Sequence, residues 1–325
     1  MSSSRILCAL LLLAPAVSSA QSTACSNDAD DVRRAALVGI MQMESSQILP
    51  VLEKLLERRD DCSVSLRRQA VELLARTREP ERLDIMVRVA RTDPSGVVRR
   101  QAVQSIAQVN TERSAALLDS IFASATDTDV SEMALRGLAQ QTSPAARTAL
   151  RRIAESTTLT TEIRVRAVNQ IGSGRRTPED IQYLKDLYGK TTSQQLREGI
   201  LRSVSYQRST ESLNWLLGVA RDRNSEIELR QVALRSAGQY WDRGNSAGLE
   251  VKDLLALYDE FKSQPEMQDQ MLDVLAQRPE SAATDKLIQI ASDGENMQLR
   301  RRAIQRLAQR RDPRVRQFLL DVVSR

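Results

Sequence analysis

No histidine occurs anywhere in the 325 residues. Its absence removes His-based catalytic triads, His-ligated zinc, haem histidines and imidazole pH switches. Aromatic residues are scarce at 3%, although the length still allows a substantial core. Lysine is rarer than arginine, 6 against 41, and no lysine pairs with a nucleophile. There is no Gly-rich phosphate loop and no G-x-S-x-G elbow. The acidic clusters Asp28, Asp30, Asp31 and Asp60, Asp61 lack calcium-loop spacing. No metal or cofactor set emerges, and no reaction is named. The charge is mixed in sign and sums to +5, which is no nucleic-acid footprint. No alternating apolar and polar run is long enough to argue a sheet.

What is present begins with an export signal. Arg5 gives a basic start, Ile6 to Val17 is an apolar run, and Ser18-Ser19-Ala20 is a small-residue cleavage site. The run is shorter than the ~20 residues that span a bilayer, so it reads as a signal peptide over residues 1–20. Residues 21–325 then form one domain, secreted or periplasmic, with no integral membrane segment. Cys8 leaves with the signal. Cys25 and Cys62 remain, an even pair in an oxidising compartment. They read as a disulfide, as two thiols, or as a lipid attachment at Cys25.

The dominant feature is a repeat. An aliphatic residue and usually an Arg precede an anchor at 36, 70, 102, 134, 167, 200, 233, 271 and 303. The steps are 34, 32, 32, 33, 33, 33, 38 and 32. The long step coincides with a polar insertion at Asp242 to Ser246. Within a copy the apolar residues recur every four positions, as in Val98, Ala102 and Ile106, which is one face of a helix. Seven of the nine anchors are Ala, small enough for a neighbouring helix to approach closely. Ile200 and Met271 depart from this and predict wider packing. A second amphipathic stretch fills each unit, for example Leu83, Met86, Val87 and Ala90. The expected fold is all-α: a right-handed superhelix of eight to nine stacked antiparallel helix pairs.

The segment Asp93-Pro94-Ser95-Gly96-Val97-Val98-Arg99-Arg100-Gln101-Ala102-Val103 resembles HEAT repeats, including the short bacterial PBS-lyase-type form. The resemblance spans residues 28–323. It implies a protein-binding scaffold; some relatives are bilin-attachment accessory proteins and a distant group are DNA glycosylases. It also implies ladders between turn acids and an Arg of the next helix. The matching row is Arg33, Arg67, Arg99, Arg164, Arg197, Arg230 and Arg300. The turn candidates are Asp30, Asp61, Asp93, Asp127 and Asn224, and Ser131 and Gln268 break the row. Stacked units would set turns side by side, which favours a Cys25–Cys62 bridge.

Eight of the ten aromatics fall within residues 183–261. Tyr240 and Trp241, beside the insertion, are the foremost partner-binding candidates, with Trp215 and Tyr206. Trp215 would equally fill core. A second candidate is the basic run Arg301, Arg302, Arg306, Arg310, Arg311, Arg314 and Arg316, either a docking patch or a solvated cap. The expected function is an exported, non-catalytic scaffold that binds a protein, with no nucleic acid, on the concave face. The alternatives are an enzyme or accessory factor acting on an anionic or conjugated ligand, and a nucleic-acid-binding relative.

Overall fold

A computed structural model describes residues 27–40, 44–174, 177–238 and 249–324. The described residues form eighteen α-helices and no strand. They are α1 (Asn27–Ile40), α2 (Ser45–Leu56), α3 (Val64–Arg76), α4 (Arg82–Thr92), α5 (Gly96–Gln108) and α6 (Glu112–Ser124). Next come α7 (Thr128–Gln140), α8 (Pro144–Glu155), α9 (Thr161–Ser173), α10 (Pro178–Lys190), α11 (Gln194–Ser205) and α12 (Thr210–Arg221). The last six are α13 (Ile227–Gly238), α14 (Val251–Glu260), α15 (Pro265–Ala276), α16 (Ser281–Asp293), α17 (Met297–Leu307) and α18 (Pro313–Ser324). A single 3-10 turn, Asp61–Ser63, precedes α3.

Short polar turns end each helix and start the next. Side-chain oxygens of Thr111, Ser143, Thr160, Thr177, Ser193 and Ser209 accept amide N–H bonds of the following first turn, which satisfies donors a helix start leaves open. Proline at the start of α8, α10 and α15 fits the same position. Pro80 stands in the turn before α4 rather than in its first helical position.

No helix hides its apolar stripe alone. Leu66, Ala70 and Leu74 of α3 are fully buried, as are Val98, Ala102 and Ile106 of α5. Successive helices stack into a right-handed solenoid with a continuous core. The odd-numbered helices form one layer and pack closely on one another; the even-numbered helices form a looser second layer. The anchors Ala70, Ala102, Ala134, Ala167, Ala233 and Ala303 sit at zero exposure in the closer layer. In α1 the burial differs: Leu37 is buried and Ala36 is exposed.

Ile200 does not widen the stack. A Cβ built on Gly172 would lie 2.5 Å from Ser203 Cβ and 2.8 Å from its Cα. The glycine lets α9 and α11 meet backbone to backbone despite the larger anchor. The looser place is instead between α7 and α9, which pack over a much shorter stretch than α5 with α7 or α9 with α11. Outside it, α8 and α10 stand apart.

The signal-peptide segment, Cys25, Tyr240 and Trp241 lie outside the described residues. One expectation is corrected here. Sequence reasoning joined a Cys25–Cys62 bridge to secretion into the periplasm. Cys62 is disulfide-bonded, but Cys8 and Cys25 both lie outside the described residues, which therefore do not show that bridge. Export was read from residues 1–20 alone, and these lie outside the described residues. What the fold does carry is the repeat. No helix among the described residues is long and apolar enough to cross a membrane.

Candidate binding face

The stack is held from unit to unit by the arginine row. Arg67 is fully buried and donates from Nε and Nη2 to Asp93 Oδ2 and Oδ1 at 2.9 and 3.2 Å. Its Nη1 donates to the Asp60 carbonyl at 2.8 Å. Arg99 repeats the rung, with Nη2 2.5 Å from Asp127 Oδ2 and Nη1 2.8 Å from the Asp93 carbonyl. That guanidinium holds the Asp127 carboxyl below its ordinary range. Beyond Ser131 the pattern changes. Arg164, Arg230 and Arg300 donate from Nε to the carbonyls of Ala154, Ala220 and Ala291 at 3.0, 3.0 and 3.1 Å. Each clasps the last turn of the preceding even helix. Arg230 also reaches Gln264. Arg197 stacks over Tyr188, 5.5 Å from the ring centre. Arg33 also makes an interaction. The row is structural along its described length. Asp61 takes no part in the ladder, where the Asp60 carbonyl serves instead, and in the later turn Asp222, not Asn224, accepts the backbone and Ser225 bonds.

The basic C-terminal run is largely engaged in the same way. Arg302 forks onto Asp269 at 2.8 and 3.0 Å. Arg306 meets Asp273 at 2.5 Å. Arg310 donates to the Leu275 and Ala276 carbonyls at 3.0 and 3.1 Å, and also to Arg278 O and Thr284. Arg314 bridges Asp285 and Asp312. Arg301 projects outward on α17 and is exposed, and Arg311 and Arg316 are exposed near the start of α18.

The aromatics fill the looser even layer. Tyr188 of α10 and Trp215 of α12 meet edge to face with ring centres 5.3 Å apart. Tyr258 and Phe261 are buried, and burial raises the Tyr258 hydroxyl to about 12. Trp215 therefore packs rather than projects. Tyr206, at the C-terminal cap of α11, is 43% exposed. Where α8 and α10 separate there is an open cleft of about 730 Å³. Arg151, Arg152, Glu155 and Tyr183 line it. Arg151 lies 4.7 Å over the Tyr183 ring and 2.9 Å from Asp180. Burial and the Glu155 charge push the Tyr183 hydroxyl well up.

The odd helices present a polar register that recurs from unit to unit, exposed in most and half-buried at Glu72, Asn169 and Asp273. At two positions after the anchor stand Glu72, Gln104, Arg136, Asn169, Arg202, Arg235, Asp273 and Gln305. The charges of this face are mostly paired within it: Arg100 with Asp129, Arg166 with Glu132, Arg202 with Glu198, Arg302 with Asp269. The result is a long, rigid, polar surface of low net charge. Sequence reasoning expected a groove lined by the anchor-bearing helices but named its candidate residues at the aromatics and the basic run. The signal for this face was the polar register that recurs with the 33-residue period.

The family profile described as HEAT repeats matches residues 22–107 and 52–136. No curated protein matches the chain. Among solved structures it is similar to human deoxyhypusine hydroxylase in complex with glycerol, at 14% identity over 76% of this chain and 97% of that one, with a TM-score of 0.31. It is also similar to the complex of CpcE and CpcF of phycocyanin lyase from Nostoc sp. PCC7120, at 18% identity over 72% and 90%, with a TM-score of 0.33. These likenesses are too loose to transfer any residue. The expectation of a non-catalytic chain is withdrawn, because a helical stack is by itself no argument against catalytic or accessory work. The profile match ends within α7, and the same helix pairs continue to the end of α18, so the chain is an α-solenoid of stacked helix pairs whose first units resemble HEAT repeats.

Proposed function

We propose that the chain is an accessory scaffold that holds a protein partner along the exposed face of its odd helices. The single observation that carries this reading is the face itself. From α3 to α17 it presents a recurring polar register, exposed at Gln104, Arg136, Arg202, Arg235 and Gln305 and half-buried at Glu72, Asn169 and Asp273, on helices whose opposite sides are packed. Such a surface is preorganised, so little conformational freedom is lost when a partner docks. The test is position-specific photo-cross-linking in the native host. Cross-linkers replacing Gln104, Arg136 and Arg235 should trap one common protein. Cross-linkers at the even-helix positions Gln289 and Lys190 should not. Adducts from the even positions alone would overturn the reading.

A second reading has its own observation. The cleft between α8 and α10 brings Arg151, Arg152 and Tyr183 together beside Glu155. Two guanidinium groups and a phenol ring suit a planar anionic ligand. Titration with a planar anionic dye, compared between the wild type and Arg152→Ala, tests it; unchanged affinity in the variant would remove the cleft from consideration.

A further inference from the structure

The two ends of the stack are where hydrophobic side chains lie bare. Nine large hydrophobic residues are exposed among the described residues, and seven of them belong to the first and last helix pairs. Val32, Val38 and Val51 lie in α1 and α2; Met297, Leu320, Val322 and Val323 lie in α17 and α18. A stack that ends at solvent needs outer units with a polar face, and these are not such units. By position α1 follows the repeat: Leu37, one after the anchor, is buried like Val71 and Val103. Val32, four before the anchor, is 71% exposed where Leu66, Val98 and Leu196 are buried. It lacks only the helix that stands behind them.

Two contacts recur where one odd helix meets the next. A side chain two before the anchor reaches the residue five before the next anchor: Arg100 to Asp129 at 2.9 Å, and Gln231 to the Glu266 carbonyl at 3.1 Å. A small residue five after the anchor lies against the residue three after the next anchor: Ala107 against Gly137, Gly172 against Ser203, Gly238 against Val274. The free ends carry the two halves of both contacts. On α17 the forward positions are Arg301 and Ala308, both exposed, and Arg301 takes part in no ion pair among the described residues. On α1 the backward positions are Asp31 and Gly39. Gly39 is exposed, and a Cβ built on it would meet nothing within 4 Å, whereas one on its counterpart Gly137 would lie 2.8 Å from Ala107. We infer that the C-terminal end of one copy of this chain stacks on the N-terminal end of the next. Arg301 then falls in register with Asp31 and Ala308 with Gly39, as Arg100 and Ala107 of α5 do with Asp129 and Gly137 of α7. Charge agrees: α1 opens with Asp28, Asp30 and Asp31, and the far end exposes Arg301, Arg311 and Arg316. The two surfaces differ, so the contact does not close on itself and can propagate. The inference goes beyond the scaffold reading, whose odd-helix face such stacking leaves open.

The experiment is sedimentation velocity on the purified full chain across a wide range of concentration. The wild-type mass should rise with concentration past that of a dimer. Ala308→Arg and Gly39→Arg fill open space at opposite ends. Each should keep its helical circular dichroism and sediment as a monomer. Mixed in equal amounts, the two should form a one-to-one dimer and nothing larger, because the first has only its N-terminal end free and the second only its C-terminal end. That dimer also shows both variants to be folded. A wild type that stays monomeric, or a mixture of helical variants that stays monomeric, would overturn the inference. So would association that survives in either variant alone, which is the mark of a symmetric dimer. Absence of odd-face cross-links would instead sink the scaffold and leave the stacking untouched.

Discussion

The first units and the later ones solve one problem in two ways. In α3 and α5 the row arginine reaches forward to an aspartate in the turn of the next unit: the buried Arg67 to Asp93, the partly exposed Arg99 to Asp127. From α9 onward Arg164, Arg230 and Arg300 reach back to a carbonyl of their own unit, Arg230 also reaching forward to the neutral Gln264, while Arg197 stacks over Tyr188. The forward bond ties unit to unit; the backward bond ties the two helices of one unit together. The HEAT-repeat profile matches residues 22–136, the stretch that contains the forward rungs. The helices continue unchanged past that point. The fold thus needs the apolar stripes and small anchors, while the ladder is a local reinforcement.

The sharpest way to break the comparison is at Asp93. The Arg67 and Asp93 side chains are 0% and 1% exposed. Asp93→Ala would strand a buried guanidinium, which costs about 3–5 kcal/mol. Urea unfolding should show that loss, and hydrogen exchange should place it in α3 to α5, because units of a stack feel mainly their neighbours. Replacing both partners by apolar residues should recover much of it. Full stability in Asp93→Ala would refute the buried rung.

A smaller loss is expected in the later half. Arg230 is 6% exposed and bonds to the Ala220 carbonyl and Gln264. Arg230→Met removes the cation and leaves a carbonyl and an amide unpaired, not a charge. The expected cost is about 1.5–3 kcal/mol, that of hydrogen bonds to a charged donor. If Arg230→Met costs as much as Asp93→Ala, the two halves are not anchored differently.

Acid should separate the halves further. The Asp127 carboxyl lies below its ordinary 3.8, chiefly through its bond from Arg99. Its folded pKa is depressed, so its contribution is complete above 3.8 and fades as pH falls through the folded value. The stability gap between the wild type and Asp127→Asn should therefore be present near neutrality and close as the pH falls well below 3.8. The corresponding arginines of the later half bond to carbonyls, which do not titrate, so their contacts should persist there. A gap that stays constant to low pH would show that Asp127 acts through something other than its charge.

The period and the all-α stack were legible because they are written in local residue choice: an aliphatic-Arg-small pattern every 33 positions. The role of the C-terminal arginines was not, because their partners are one period away. Arg302 meets Asp269 and Arg306 meets Asp273, in each case 33 residues earlier. Read linearly, residues 300–316 look like a basic patch. Folded back by about one period, three acids, Asp269, Asp273 and Asp285, lie opposite. Trp215 misled for a different reason: nothing local shows that Tyr188, from the preceding even helix, would cover its ring. The loosening between α7 and α9 was partly visible, since Ser131 interrupts the row at that junction.

That junction offers the finest test of the two anchoring modes. Ser131 of α7 stands where a forward arginine would be, and Thr160 caps α9 by accepting from the Ile163 amide. Aspartate caps as well as threonine, so Thr160→Asp should be close to neutral by itself. Ser131→Arg alone adds a half-solvated cation and should also change little. Together they would supply the missing forward rung between two helices that now pack over a short stretch. A rung at this partly exposed place is worth at most about 1 kcal/mol. A double-mutant cycle read by urea unfolding isolates the coupling. Positive coupling that fades with added salt would show that forward anchoring is a transferable device of the first units. Zero coupling would mean that the α7–α9 spacing, and not the missing side chains, ends the ladder there.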